Sequence, residues 1–104
     1  MDLKNFLSSS GIPFEDTAWT QPPGETYGVF LDNSENRGAD DKICISEHTV
    51  TVEIYSEFVD NEAKAKIEKL FLDNAIAFSY FGRTWIDSER MYQTAWEFSF
   101  TEKL

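Results

Sequence analysis

The feature that most constrains this chain is its last strand-like run, from Met91 to Phe100. Tyr92, Trp96, Phe98 and Phe100 are large aromatics at even positions, with Thr94 among them. Gln93, Glu97, Ser99 and Thr101 are polar at odd positions, with the small Ala95 between them. A period of two sends the two sets to opposite faces of a pleated strand. Four rings on one face carry too much apolar area to be left in water. The run therefore reads as a well-packed strand, added late at the edge of a sheet.

With 104 residues the chain reads as a single domain over 1–104, long enough to bury a core without metal or disulfide staples. A hydrophobic share of 41% with 15% aromatic residues argues for a folded protein, since disorder combines high charge with low hydrophobicity. The single Cys44, between Ile43 and Ile45, cannot form an internal disulfide and reads as a small buried hydrophobe. Met1 to Leu7 lacks the sustained apolar core of a signal peptide, and no apolar run approaches the ~20 residues of a membrane span. A soluble protein made in a cytoplasm is expected.

Nineteen acidic against nine basic residues give a formal charge of −10. Nucleic-acid binders place Lys and Arg against phosphates, and this chain has no basic run, so a direct grip on nucleic acid is disfavoured. Acidity of this degree also keeps a protein soluble.

Along the chain, Asp2 is placed to cap a short helix carrying Leu3, Phe6 and Leu7, which ends at the serines and Gly11. Ile12 before Pro13 is pushed toward extended backbone. Residues 14 to 26, with Pro22-Pro23, read as irregular or edge-like, because prolines remove ladder donors. Tyr27 to Leu31 is a short strand with both faces buried, followed by a long polar loop from Asp32 to Lys42. Loops of that length are often functional. His48 to Phe58 alternates cleanly and is rich in β-branched residues.

Asp60 then caps a helix to Asp73, with Ala63, Ile67, Leu70 and Phe71 as its buried stripe and Lys64, Lys66, Glu68 and Lys69 kept wet. Phe78 to Asp87 reads as a strand or strand pair interrupted by a bulge or tight bend at Gly82, and a turn at Ser88-Glu89-Arg90 leads into the aromatic strand. The expected fold is α+β: a mostly antiparallel β-sheet with one main helix on a face and a short N-terminal helix.

No catalytic constellation emerges. The Asp32 loop starts like a calcium loop, but its glycine, Gly38, is at the seventh place and Ile43 stands where the twelfth-place Glu is required. A looser cation site among Asp32, Glu35, Asp40 and Asp41 is the residual possibility. One His and one Cys cannot assemble the usual zinc site within one chain. His48, in phase with Val50 and Val52, reads as a partly buried structural histidine. Phosphate loops, nucleophile elbows and dinucleotide fingerprints are all missing. No enzyme, no cofactor and no metal are expected.

The run Glu89-Arg90-Met91-Tyr92-Gln93, followed by the aromatic strand, resembles the closing strand of the small tail-terminator (tail-completion, head–tail joining) proteins of long-tailed bacteriophages. The order upstream is similar as well: an N-terminal helix, an extended Gly11-Ile12-Pro13 segment, a sheet, a helix packed on it and a closing hairpin. Glu15 to Glu25 matches no feature of that family.

The resemblance implies a structural protein of a phage or prophage virion. In that family a ring of subunits, commonly a hexamer, caps the tail tube, ends its polymerisation and joins it to the head connector. Implied partners are further copies of the chain, a tail-tube protein and a head connector protein, with no membrane. The implied location is the head–tail junction, after synthesis in the bacterial cytoplasm. An acidic lumen would let DNA pass without gripping it.

Candidate interface residues are Glu35, Arg37, Asp40 and Asp41 in the loop, and Arg83 and Trp85 beside Gly82; a core position for Trp85 is the alternative. An acidic DNA-mimic inhibitor of a nucleic-acid-binding protein is a competing function, and a small enzyme of unmarked type is another.

Overall fold

The computed structural model describes residues 1–38 and 44–104. Its elements are α1 (Leu3–Ser8), β1 (Phe14–Asp16), β2 (Tyr27–Arg37), β3 (Ile45–Ser56), α2 (Asn61–Asp73), β4 (Phe78–Ile86) and β5 (Met91–Lys103). The strands form one sheet in the order β1-β2-β3-β5-β4. Every pairing is antiparallel except the short β1–β2 contact. This is the α+β architecture expected from the sequence.

Alternation in β3 and β5 sorts the sheet into two faces. Val50, Val52 and Ile54 of β3 lie opposite Phe98, Trp96 and Thr94 of β5, and all six are buried. Against this face α1 contributes Leu3 and Leu7, and α2 contributes Ala63, Ile67 and Phe71. Leu70 is only half-buried at the margin of the stripe.

The Phe71 ring lies 5.1 Å from Phe78 and 5.3 Å from Phe98, so one helical residue clamps two strands. Trp96 is wholly buried, and its indole N–H needs an acceptor there. Glu68 Oε2 accepts that bond at 3.1 Å, while Glu68 Oε1 takes one from Lys64 at 3.0 Å. Glu68 therefore leans under the helix instead of facing water, because a buried indole donor left unpaired costs about 1–3 kcal/mol.

Both caps of α2 are built locally. Asp60 Oδ1 accepts from Ala63 N, and Asp60 Oδ2 accepts from the Thr26 hydroxyl, tying the helix start to the chain ahead of β2. At the far end Ile76 N donates to Phe71 O at 2.8 Å and Ala75 N donates to Leu72 O at 3.1 Å. That paired pattern closes a helix when the residue after its cap is left-handed, and Ala75 has φ 55°. Glycine usually occupies this place because a Cβ is penalised there.

Four expectations are corrected. The aromatic strand β5 is interior, with β3 on one side and β4 on the other; β4 is the edge. Its rings are graded in burial: Trp96 and Phe98 are core, while Tyr92 and Phe100 are half-buried. Asp32 to Arg37, read as loop, continues β2 as far as Arg37 opposite Ile45. Those polar side chains have no apolar pattern, and ladder bonds to β3, with the Asp32–His48 and Arg37–Glu47 contacts, hold them extended. Cys44, read as buried, is exposed, one residue ahead of β3. Within 14–26, Phe14–Asp16 forms the edge strand β1, with Phe14 buried over Gly28.

Replacing Ala75 by Gly is expected to stabilise the fold by about 0.5–1 kcal/mol by relieving the left-handed Cβ. Replacing Gly28 by Ala should destabilise it by about 1–3 kcal/mol, since the new Cβ would stand 2.2 Å from the Phe14 ring. Urea midpoints of both variants check the two signs.

Candidate interaction site

Strand β4 pairs only with β5, so its outer edge is open among the described residues. Its register holds the key to the site. Tyr80 pairs with Trp96, yet Gly82 pairs with Ala95, so Phe81 is an extra residue inserted between them. Gly82 takes φ 102°, a backbone open to glycine at little cost, and the bulge forms there.

One extra residue reverses the phase of everything after it. Before the bulge the even residues Phe78 and Tyr80 face the helices; after it Arg83 and Trp85 do, opposite Thr94 and Tyr92. Phe81 itself is 59% exposed, and Tyr80 and Trp85 are 43% and 40% exposed. Three aromatics thus line one open strand edge, a concentration of exposed ring area that marks contact surfaces.

Arg83 and Trp85, two of the candidate interface residues, occupy neighbouring same-face positions here. Arg83 Nη2 donates to Asn61 Oδ1 at 2.9 Å, linking β4 to the first residue of α2. Its Nε is buried and has no hydrogen-bond partner among the described residues. Trp85 packs edge-on to Tyr92 at 4.8 Å and donates from Nε1 to Asp87 Oδ1 at 3.3 Å. The Arg90 guanidinium stands 5.8 Å from the Trp85 ring centre, within cation–π range. Trp85 is therefore a rim residue and not a core one. Lys64 of α2 lies 4.7 Å from the Tyr80 ring centre and ties that exposed ring to the helix.

Glu35 and Arg37 sit far from this group, on the exposed distal part of β2. Arg37 is paired with Glu47 of β3 at 2.9 Å, and Glu35 lies opposite the same Glu47 in the ladder. Asp40 and Asp41 lie outside the described residues. Asp32 and Glu35 are an odd number of places apart on one strand and so point to opposite faces, which separates two members of the cation set. Asp32 instead serves His48, whose Nδ1 is 2.8 Å from its Oδ1.

His48 also stacks on Phe100 at 4.4 Å, and Glu102 Oε1 lies 3.5 Å from its Nε2 and 3.0 Å from the N-terminal amine. This cluster ties the N-terminus to the last strand. It fits the structural role expected for His48. Among the described residues no group of three or more His, Cys, Asp or Glu is placed to hold a metal. No helix among them is long and apolar enough to cross a membrane.

Sequence reasoning passed over a second cluster, on the face that the helices leave uncovered. Tyr27 and Tyr55 are cross-strand partners whose rings stack at 5.6 Å, with Trp19 edge-on to Tyr27 at 6.0 Å. Trp19 Nε1 donates to Gly28 O at 2.9 Å, which pins the proline-rich segment to β2. Gln93 Nε2 donates to Tyr55 Oη at 2.8 Å and to Glu53 Oε2 at 3.2 Å. Burial pushes the Tyr55 phenol above its ordinary value, the Gln93 bond works against that shift, and the Glu53 charge adds to it. Tyr27 is raised by burial first and by the Glu89 charge second. The available signal was two aromatics, Trp19 and Tyr27, flanking two prolines and a glycine, which carries no period.

No family model matches this chain, and no curated protein does.

Because the folded state favours the neutral phenols of Tyr27 and Tyr55, the unfolded chain gives up these protons first. Stability from this source is whole below a phenol pKa of about 10 and declines as pH climbs through the raised folded values. Tyrosinate absorbance should show two late-titrating phenols, and Tyr55→Phe should flatten the alkaline fall in urea midpoint. Titration of every tyrosine at or below about 10 would contradict this.

Proposed function

We propose that the chain is a structural assembly subunit that caps a phage tail tube, ends its polymerisation and joins it to the head connector, working through surfaces and not through a catalytic centre. The observation that carries this reading is the open β4 edge, with Tyr80, Phe81 and Trp85 exposed along it and Arg83 beside them. A bulge that lifts a phenylalanine into water is a cost unless something covers the ring. Aromatics and arginine are also the residues that most often anchor protein contacts.

The resemblance of Glu89-Arg90-Met91-Tyr92-Gln93 and the following strand to tail terminators supplies the kind of assembly. On this reading the subunit closes into a ring, meets the tube protein on one side and the connector on the other, and acts at the head–tail junction. Its charge of −10 suits a passage for DNA, which should be repelled and not held.

The test is to polymerise a tail-tube protein from the phage or prophage that carries this chain, with and without the purified subunit, and measure tube lengths by electron microscopy. Added subunit should shorten the tubes and decorate one end. Phe81→Ser combined with Trp85→Ser should lose most of that effect while keeping the native circular dichroism spectrum. Tubes of unchanged length at saturating subunit would overturn the proposal.

A further inference from the structure

The sheet has a second open edge besides β4. β1 covers β2 only at Gly28, Val29 and Phe30, so Leu31 to Arg37 of β2 is left without an outer neighbour among the described residues. Seven residues at about 3.3 Å each span roughly 23 Å, a length comparable to that of β4.

Strand direction makes the two edges compatible. β2, β3, β5 and β4 are antiparallel in succession, so β4 runs opposite to β2 across the sheet. A second copy that continues the sheet in the same orientation therefore offers its β2 to β4 as an antiparallel partner, with both helix layers on one side.

Charge selects between the ways these edges can meet. On the helix-side face β4 presents Arg83, and β2 presents Asp32 followed by the neutral Ser34 and Asn36. Pairing β4 with β4 about a two-fold axis would bring cation toward cation, and pairing β2 with β2 would bring acid toward acid. On that face only β4 against β2 sets opposite charges side by side.

Side-chain alternation narrows the register. Arg83 must lie opposite an even β2 residue to share its face, and β1 occupies the edge up to Phe30. Opposite Asp32 it meets that carboxylate directly; opposite Ser34 it meets it on the diagonal, still within reach of a long side chain. Arg83 is held on this face by Nη2 donating to Asn61 Oδ1, and among the described residues Asp32 is held on it by His48 Nδ1, 2.8 Å and 3.0 Å from its two oxygens.

We infer that copies of this chain join head to tail, the β4 edge of one pairing antiparallel with the Leu31–Arg37 edge of β2 of the next, with Arg83 set against Asp32 across the seam. The inference rests on the reading of the chain as an assembly subunit. It adds which edges meet, in which direction and through which ion pair. The contact is heterologous, so an open chain of copies keeps one free β4 edge at one end and one free β2 edge at the other until a ring closes.

Sedimentation of the pure full-length chain over a wide concentration range tests it. Wild type should self-associate. Arg83→Asp and Asp32→Arg, each alone, should weaken association about tenfold or more. The double variant carrying both, and an equimolar mixture of the two single variants, should each restore it. Circular dichroism of every variant separates unfolding from lost contact, and Arg83→Lys should retain association where Arg83→Asp does not.

A chain that stays monomeric throughout overturns the inference. Association that Asp32→Arg leaves untouched while Arg83→Asp abolishes it indicates a β4–β4 dimer and also overturns it. Tube capping by a chain that never self-associates would retain the assembly reading and remove only this seam.

Discussion

The pairing of β3 with β5, from Ile45 opposite Lys103 to Ser56 opposite Tyr92, is the contact on which the other parts of the structure depend. Both strands keep their period of two without interruption, so Val50, Val52 and Ile54 share a face with Phe98, Trp96 and Thr94. A slip of one residue would send all of these side chains to the opposite face. With the register held, Trp96 falls beneath α2, where Glu68 receives its indole proton. Phe71 can then touch strands on either side of the same helix. β2 and β4 are built outward from this pair.

Outward growth ends differently on the two sides. On β2, the three-residue β1 stops at Asp16 and leaves the polar distal half of the strand uncovered. On β4, the Phe81–Gly82 bulge interrupts the ladder and inverts the facing of the residues after it. Bulges and short strands are common means of blunting an edge against indiscriminate pairing. Here the bulge also exposes a ring and turns an arginine toward the helix side. A surface of this kind gives an assembly protein specificity through charge and shape, with aromatic area supplying affinity.

Much of the fold was legible in local chemistry. The caps at Asp2 and Asp60, the buried stripe of α2, the bulge at Gly82 and the alternation of β3 and β5 all follow from residue types at fixed spacing. The misreadings share one cause. Asp32 to Arg37 is polar at every position, and nothing local distinguishes a loop from a strand held by its partner's ladder bonds. Cys44 between two isoleucines looks buried, yet it is exposed just ahead of β3, and flanking residue types do not report which surface covers a position. Trp19 gave no signal because its contact is made to Tyr27 and to the Gly28 carbonyl across a proline-rich excursion. Of the candidate residues, Arg83 and Trp85 share a face because they are two apart on β4, and the bulge turns that face toward the helices, while Glu35 and Arg37 stand on a different edge.

The amino-acid sequence by itself determined which segments alternate, where helices start, and that the last strand must bury its rings, because period, capping and apolar area are properties of short stretches of chain. Tertiary structure alone decided that this strand lies inside the sheet with β4 at its margin, since strand order depends on which surfaces can be covered together. It also decided that Arg83 and Trp85 face the helix side, because a single inserted residue reverses a two-residue period only when a partner strand exists to count against. The aromatic run that constrained the fold most strongly thus forms its interior, and the surface available to other molecules belongs to the strand beside it.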